Sequence, residues 1–144
     1  PRATRGQVIG MRVEQGKAAL HLIGSHGLTG VGTGDVHSSF REELIRLQSP
    51  LQSAKEGMFS AHNQFLTYLV SYGFPGLIWF LFAILYPAIK KRSFRDYFFI
   101  TFFSIAMVSF LGDDTLNTQA GVTFFAFFYA LFVLRKQDTH YETI

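Results

Sequence analysis

The sequence predicts an all-α fold: a fragment of a polytopic helical membrane protein, with an extracytoplasmic helical region followed by about three membrane helices and a short broken helix. Three observations lead there. The first 62 residues hold seven Lys/Arg and five Asp/Glu, whereas Asn63 to Leu134 hold only Lys90, Lys91, Arg92, Arg95, Asp96, Asp113 and Asp114. Sixteen of the 17 Phe lie after residue 58. Uncharged runs at Gln64–Ile89, Tyr97–Gly112 and Ala120–Leu134 are separated by short charged or polar connections. A soluble domain of average composition interleaves polar positions along every element, so the C-terminal half reads as membrane.

Composition also excludes. There is no Cys, hence no disulfide scaffold, thiolate metal site or cysteine nucleophile. The chain does not begin with Met and carries no charged n-region with an h-region and cleavage site, so it reads as a piece of a longer protein. A net charge of +3 and a pI near 9.4 raise nucleic acid as a partner. The basic clusters flank apolar segments, where anionic lipid and topology account for them, and no nucleic acid is expected.

Taken in order, residues 1–60 are expected to form an extracytoplasmic loop with amphipathic helices. Val8–Ile23 suits a helix with Val13, Leu20 and Ile23 among its apolar positions, although Gly16 weakens it by about 1 kcal/mol relative to Ala. Gly24–Gly34 is a glycine-rich turn. Ser39-Phe40-Arg41-Glu42 has the pattern of a capping box opening a second helix, with Phe40, Leu44 and Leu47 on one face. Ser49–Gly57 returns to loop.

The membrane region is expected at 61–136, with helices at about 61–72, 76–92, 96–112 and 119–135, and a cytoplasmic tail at 137–144. The run from Gln64 to Ile89 would measure about 39 Å as one straight helix. Gly73-Phe74-Pro75-Gly76 breaks it, because glycine is permissive and proline lacks an N–H. Such breaks persist at membrane depth only where neighbouring protein or a water-filled cavity satisfies the freed backbone groups, which points to a cavity nearby. The run 97–112 is short and spans with snorkelling or local thinning. Lys90–Arg95 and Arg135-Lys136 lie on one side and Asp113–Gln119 on the other. The positive-inside rule makes the cationic side and the C-terminus cytoplasmic and everything before Asn63 extracytoplasmic.

Four groups of residues are chemically suggestive. Ser60 as N-cap would put His62 in the first helical turn, where the dipole disfavours an imidazolium and a neutral ring can accept a proton from a hydroxyl. The alternative is a packed histidine sharing a face with Phe65, Leu66, Leu69 and Val70. The turn Gly30-Val31-Gly32-Thr33-Gly34-Asp35 lacks the strand and βαβ unit of a dinucleotide fingerprint. It either permits a tight turn, with Asp35 as cap, or brings backbone N–H groups to a phosphate. Arg12, with Arg2 and Arg5 before it, offers a guanidinium fork suited to a diphosphate, or is an ordinary solvated arginine. Asp113-Asp114 has the form of a Mg²⁺-holding pair without a third carboxylate, and a solvated connection or helix cap is the simpler reading. His21, His26 and His37 lack zinc-ligand spacing.

Together these residues resemble the C-terminal part of the bacterial O-antigen ligase family, which includes O-antigen polymerases and protein O-oligosaccharyltransferases. The resemblance covers about residues 8–135. It rests on Arg12 preceding the Gly30-Val31-Gly32-Thr33-Gly34-Asp35 turn, on His62-Asn63-Gln64-Phe65-Leu66 followed by Tyr72-Gly73-Phe74-Pro75-Gly76-Leu77, and on Asp113-Asp114-Thr115-Leu116 before the final apolar helix. The aromatic residue that often follows the loop arginine by four positions is Gly16 here.

The resemblance implies a membrane glycosyltransferase that works without metal or cofactor at the periplasmic face of the bacterial inner membrane. His62 is the implied catalytic base for an acceptor hydroxyl. Arg12 is implied to bind the diphosphate, with Asn63, Gly32 and Gly34 as further substrate-binding positions. The donor is an undecaprenyl-diphosphate-linked glycan, its lipid tail lying along the Phe-rich helices in the bilayer, and the acceptor is lipid A-core or another hydroxyl. Polymerisation or transfer to protein by the same machinery, or a non-catalytic membrane or transporter subunit, are the alternatives.

Overall fold

A computed structural model describes residues 5–53 and 60–134. Arg2 and the 137–144 tail therefore lie outside the described residues. Five helices run in order: α1 (Arg5–His26), α2 (Val36–Arg46), α3 (Gln64–Lys90), α4 (Tyr97–Gly112) and α5 (Gln119–Leu134). Single 3-10 turns sit at Pro50–Ser53, Ser93–Arg95 and Thr115–Asn117, and no strand occurs among the described residues.

The first helix is longer than its apolar pattern suggests, extending to His26. Its small residues let a neighbour approach closely: Ala18, Ala19 and Leu22 are buried with Phe40 and Leu44 of α2 and with Ala61 and Val70 at the head of α3. A polar clamp joins the two helices at one edge. The buried Glu43 accepts from Arg46 Nη2 at 2.9 Å and lies 3.3 Å from His21 Nδ1 of α1.

The capping box is displaced. Helix α2 begins at Val36 with Asp35 at the N-cap position, so Ser39 falls inside the first turn, its N–H donating to the Asp35 carbonyl at 2.9 Å. Asp35 makes no side-chain capping bond. The preceding turn delivers the chain already curled, with Asp35 N–H bonded to the Gly32 carbonyl at 3.3 Å, and helix starts earlier than the side-chain pattern marks.

Helix α3 is one 27-residue hydrogen-bonded run interrupted at Gly73, whose φ of 68° and ψ of −169° are not helical. A straight helix would put Phe65 and Phe80 about 22 Å apart along its axis. Their rings are 6.4 Å apart, and Tyr68 stacks on Phe80 at 4.3 Å. The chain therefore bends sharply, and α3 consists of a short arm at 64–72 and a long arm at 74–90. By length and composition alone Gln64–Lys90 is the one helix among the described residues that could cross a membrane, but the bend leaves its long arm at 74–90, comparable with the 16 residues each of α4 and α5.

The long arm of α3, α4 and α5 pack through aromatic rings. Phe80, Ile84, Phe110 and Phe125 form one buried cluster, and Ala88, Phe99 and Val133 a second. The Tyr129 hydroxyl donates to the Ile84 carbonyl, tying α5 to the long arm of α3. The outward faces stay apolar: Trp79 is 70% exposed and Val108 69%.

Candidate functional site

The site lies where α3 begins. Asn63, not Ser60, is the N-cap: its Oδ1 accepts from Phe65 N–H at 3.0 Å and Leu66 N–H at 3.1 Å. Asparagine ranks with serine as a cap, and it lies immediately before the first helical residue. Ser60 Oγ instead accepts from His62 N–H at 3.2 Å. His62 adopts a φ of 46° and precedes the cap. It is thus in neither the first helical turn nor the apolar stripe with Phe65, Leu66, Leu69 and Val70, and both sequence readings of its placement are corrected.

The left-handed backbone at His62 turns its ring toward the far end of α4. His62 Nδ1 lies 3.3 Å from Asp113 Oδ1, across 51 residues of sequence. A carboxylate only accepts, so this contact selects the tautomer with a proton on Nδ1 and leaves Nε2 as the acceptor. The His62 side chain is 35% exposed.

The two carboxylates of the pair differ. Asp113 is held below the usual carboxylate range, chiefly by a hydrogen bond from the Asp114 side chain, with the Asp114 N–H and His62 adding to it. Asp114 is pushed up, first by burial and then by the same bond to Asp113. Asp113 is the standing carboxylate beside the imidazole, and Asp114 is the group that holds a proton longest.

Ligand atoms of His62, Asp113 and Asp114 lie within 4.8 Å of one another, a spacing that fits a divalent cation. The donor set is one imidazole nitrogen and two carboxylates, acceptable for a cation. His62 Nδ1 is directed at Asp113, so a cation taken up on that nitrogen would displace the His62–Asp113 hydrogen bond.

Two side chains next to His62 hold the Asp113 segment. Asn63 Nδ2 donates to the Leu111 carbonyl at 3.1 Å. Gln64 accepts from Leu116 N–H at 2.7 Å and donates to Asn117 Oδ1 at 3.4 Å. Both ends of the Asn63 amide are therefore engaged within the protein.

The glycine turn has a definite structural task. Pro75 has no N–H and Gly73 is not helical, so the break frees the carbonyls of Val70 and Ser71 and the N–H of Phe74. Val31 N–H takes the Val70 carbonyl at 2.8 Å, Gly32 N–H takes the Ser71 carbonyl at 3.0 Å, and Phe74 N–H donates to the Gly27 carbonyl at 2.8 Å. The freed groups are thus satisfied by neighbouring protein, where the sequence pointed to a cavity. The joint is backbone against backbone: a Cβ on Gly30 would lie 2.4 Å from the Ser71 oxygen, and one on Gly73 2.7 Å from the Gly27 oxygen. Because the Gly32 N–H is spent here, it is not offered to a phosphate. Gly34 stands clear of the joint, with open space where a Cβ would be. Arg12 is exposed on α1, about 9 Å along the axis from Ala18, where that helix enters the core with Ala61.

A model of the O-antigen ligase family matches residues 3–81, more than half of the sequence. The chain belongs to the O-antigen ligase family. The matched stretch takes in Arg12, the glycine turn, His62-Asn63 and the Gly73 break, and it ends within the long arm of α3. Asp113 and Asp114 lie beyond it. No curated protein and no solved structure matches the chain. Membership in the O-antigen ligase family indicates a membrane protein of a glycosyltransferase-like enzyme family linked to lipopolysaccharide biosynthesis.

Sequence reasoning gave His62 but not its partner, nor Gln64. Asp113-Asp114 stood out only as an acidic pair. The available signal was incomplete: α4 runs back over 16 residues along the long arm of α3, and it is the fold-back of the short arm at Gly73 that brings His62 to the level of Asp113.

Proposed function

We propose that this protein transfers a glycan from an undecaprenyl-diphosphate carrier to a hydroxyl of lipid A-core at the periplasmic face of the inner membrane. The observation that carries the reading is the contact between His62 Nδ1 and Asp113 Oδ1 at the head of α3 in a chain of the O-antigen ligase family.

In this reading Nε2 of His62 takes the proton of the acceptor hydroxyl as its oxygen attacks the anomeric carbon. The bond from that carbon to the carrier diphosphate breaks, giving the glycosylated acceptor and undecaprenyl diphosphate. Asp113 fixes the ring tautomer and offsets the charge of the imidazolium that forms, as the carboxylate does in catalytic triads. Arg12 offsets charge on the departing diphosphate, its fork matching two phosphate oxygens. Asn63 acts by fixing the start of α3 beside His62, and Gly34 borders the donor phosphates. The apolar outer faces of α3, α4 and α5 lie in the bilayer, where the carrier's polyprenyl chain also resides. Residues 1–60 are periplasmic and the C-terminus cytoplasmic. No metal takes part in the proposed step.

The deciding experiment replaces His62 by Ala in the full-length protein and analyses glycan-capped lipid. A general base contributes about 10²- to 10⁴-fold, so capping falls below detection while membrane insertion is unchanged. Normal capped lipid in that variant overturns the base assignment. Product analysis in a deletion strain separates ligation from its relatives: single-unit capping indicates polymerase function, and loss of protein-linked glycan indicates transfer to protein.

A further inference from the structure

We propose that Gln64 is a positioning residue that sets the His62–Asp113 contact, an inference that rests on the reading of His62 as the base. Gln64 is the first residue of α3 and is fully buried. Burying a primary amide costs free energy unless its groups are bonded, and an apolar side chain of equal length would fill the space without that requirement. Both ends of the amide are used on one target, the connection after α4: Leu116 N–H at 2.7 Å and Asn117 Oδ1 at 3.4 Å.

Asp113 is thereby bracketed. On its N-terminal side, Asn63 Nδ2 grips the Leu111 carbonyl; on its C-terminal side, Gln64 grips Leu116. The connection is stiffened internally by the 2.8 Å contact between the hydroxyls of Ser109 and Thr115. Both grips come from the two residues that follow His62, so the three-residue unit that carries the imidazole also holds its carboxylate. The contact itself, at 3.3 Å, is longer than the roughly 2.7–2.9 Å of a close charge-assisted hydrogen bond. A further slip of the connection breaks it, and Asp113, 62% exposed, is easily taken over by water. Gln64 touches no reacting atom in this scheme. It acts through Asp113.

The test compares the full-length protein with its Gln64→Met variant in lipid nanodiscs, with Asn117→Ala as a milder probe of the same clamp. Amide hydrogen exchange over residues 111–118 and the transfer rate are read together. In Gln64→Met, exchange of the connection rises at least tenfold while α1 and α2 keep their protection, which shows the fold is intact. Its kcat falls by about 10- to 100-fold, as for other residues that orient a functional side chain, with the acceptor KM unmoved. Adding Asp113→Asn to Gln64→Met costs little more, because both act on one contact. Asn117→Ala moves exchange and kcat in the same direction by roughly threefold.

Unchanged exchange in Gln64→Met overturns the clamp. Faster exchange with an unchanged kcat overturns the positioning role, and fully additive losses with Asp113→Asn overturn the route through Asp113. Transfer that survives His62→Ala overturns the base assignment itself, a separate result because it is read with Gln64 in place.

Discussion

The joint between the glycine turn and the bend of α3 is built differently from the aromatic bundle of α3, α4 and α5. At the joint, backbone meets backbone: three main-chain hydrogen bonds cross it, and two glycines with positive φ leave no room for a Cβ. In the bundle, rings meet rings, with centroids 5.5 Å apart for Phe99 and Phe103, 5.8 Å for Phe102 and Phe125 and 5.2 Å for Phe110 and Phe125. A backbone joint has one geometry, whereas a ring cluster can repack. The joint therefore fixes where α1 and α2 sit relative to the head of α3, and the bundle supplies an apolar body that tolerates variation.

The largest expected effect is at the joint. Gly73→Ala forces a side chain into φ 68° and puts its Cβ within 3 Å of three backbone atoms. It is expected to cost about 4 kcal/mol or more, or to prevent folding, read as thermal unfolding of the full-length protein in detergent. A loss under about 1 kcal/mol would refute the backbone joint.

Next is the bundle. Phe110, 1% exposed and central to its cluster, is expected to cost about 3 kcal/mol on replacement by Ala but under about 1.5 kcal/mol on replacement by Leu, since neighbouring rings close part of the gap. Equal losses for the two variants would show that the bundle is as exacting as the joint.

A smaller effect separates Asp113 from Asp114 by pH. Asp113 has its folded value lowered, so the stability it contributes is present above its ordinary value of 3.8 and is lost as pH falls below it. Asp114 has its folded value raised, so its contribution is full below 3.8 and lost as pH rises through the higher folded value. Asp114→Asn is thus expected to leave stability at pH 7 unchanged or raised and to flatten its pH dependence above 3.8, with Asp113→Asn flattening it below. The same dependence in both variants would show that the pair is not split.

The smallest effect is at Gly34, which is clear of the joint and at ordinary φ. Gly34→Ala is expected to change stability by less than about 0.5 kcal/mol, and a marked loss of donor affinity without loss of stability would support its place beside the phosphates. Chelation by EDTA is expected to leave transfer unchanged; a fall reversed by Mg²⁺ would assign the His62–Asp113–Asp114 cluster to a cation.

Much of this was legible in the sequence because it is local. Gly73-Phe74-Pro75-Gly76 announces its break through missing N–H and Cβ groups, and charge-free runs announce the apolar helices. The helix starts were less legible. Ser39-Glu42 and Ser60 both looked like caps, and both lost to residues favoured by the preceding turn, Asp35 and Asn63. A capping pattern states what a residue can accept, not where the incoming chain first curls.

By itself the sequence determined the all-α class, the asymmetry between a polar region and an apolar one and the break at Gly73, since these follow from residue chemistry and composition, whereas His62 stood between a packed and a catalytic reading until the family resemblance favoured the second. Only the tertiary structure decided what the glycine turn is for and what His62 faces. Which main-chain groups satisfy a broken helix, and which carboxylate 51 residues away meets an imidazole, are set by how helices pack. Gln64 shows the difference most plainly: in the sequence it is one polar residue at the start of an apolar run, and in the fold it is the buried grip on the segment that carries Asp113.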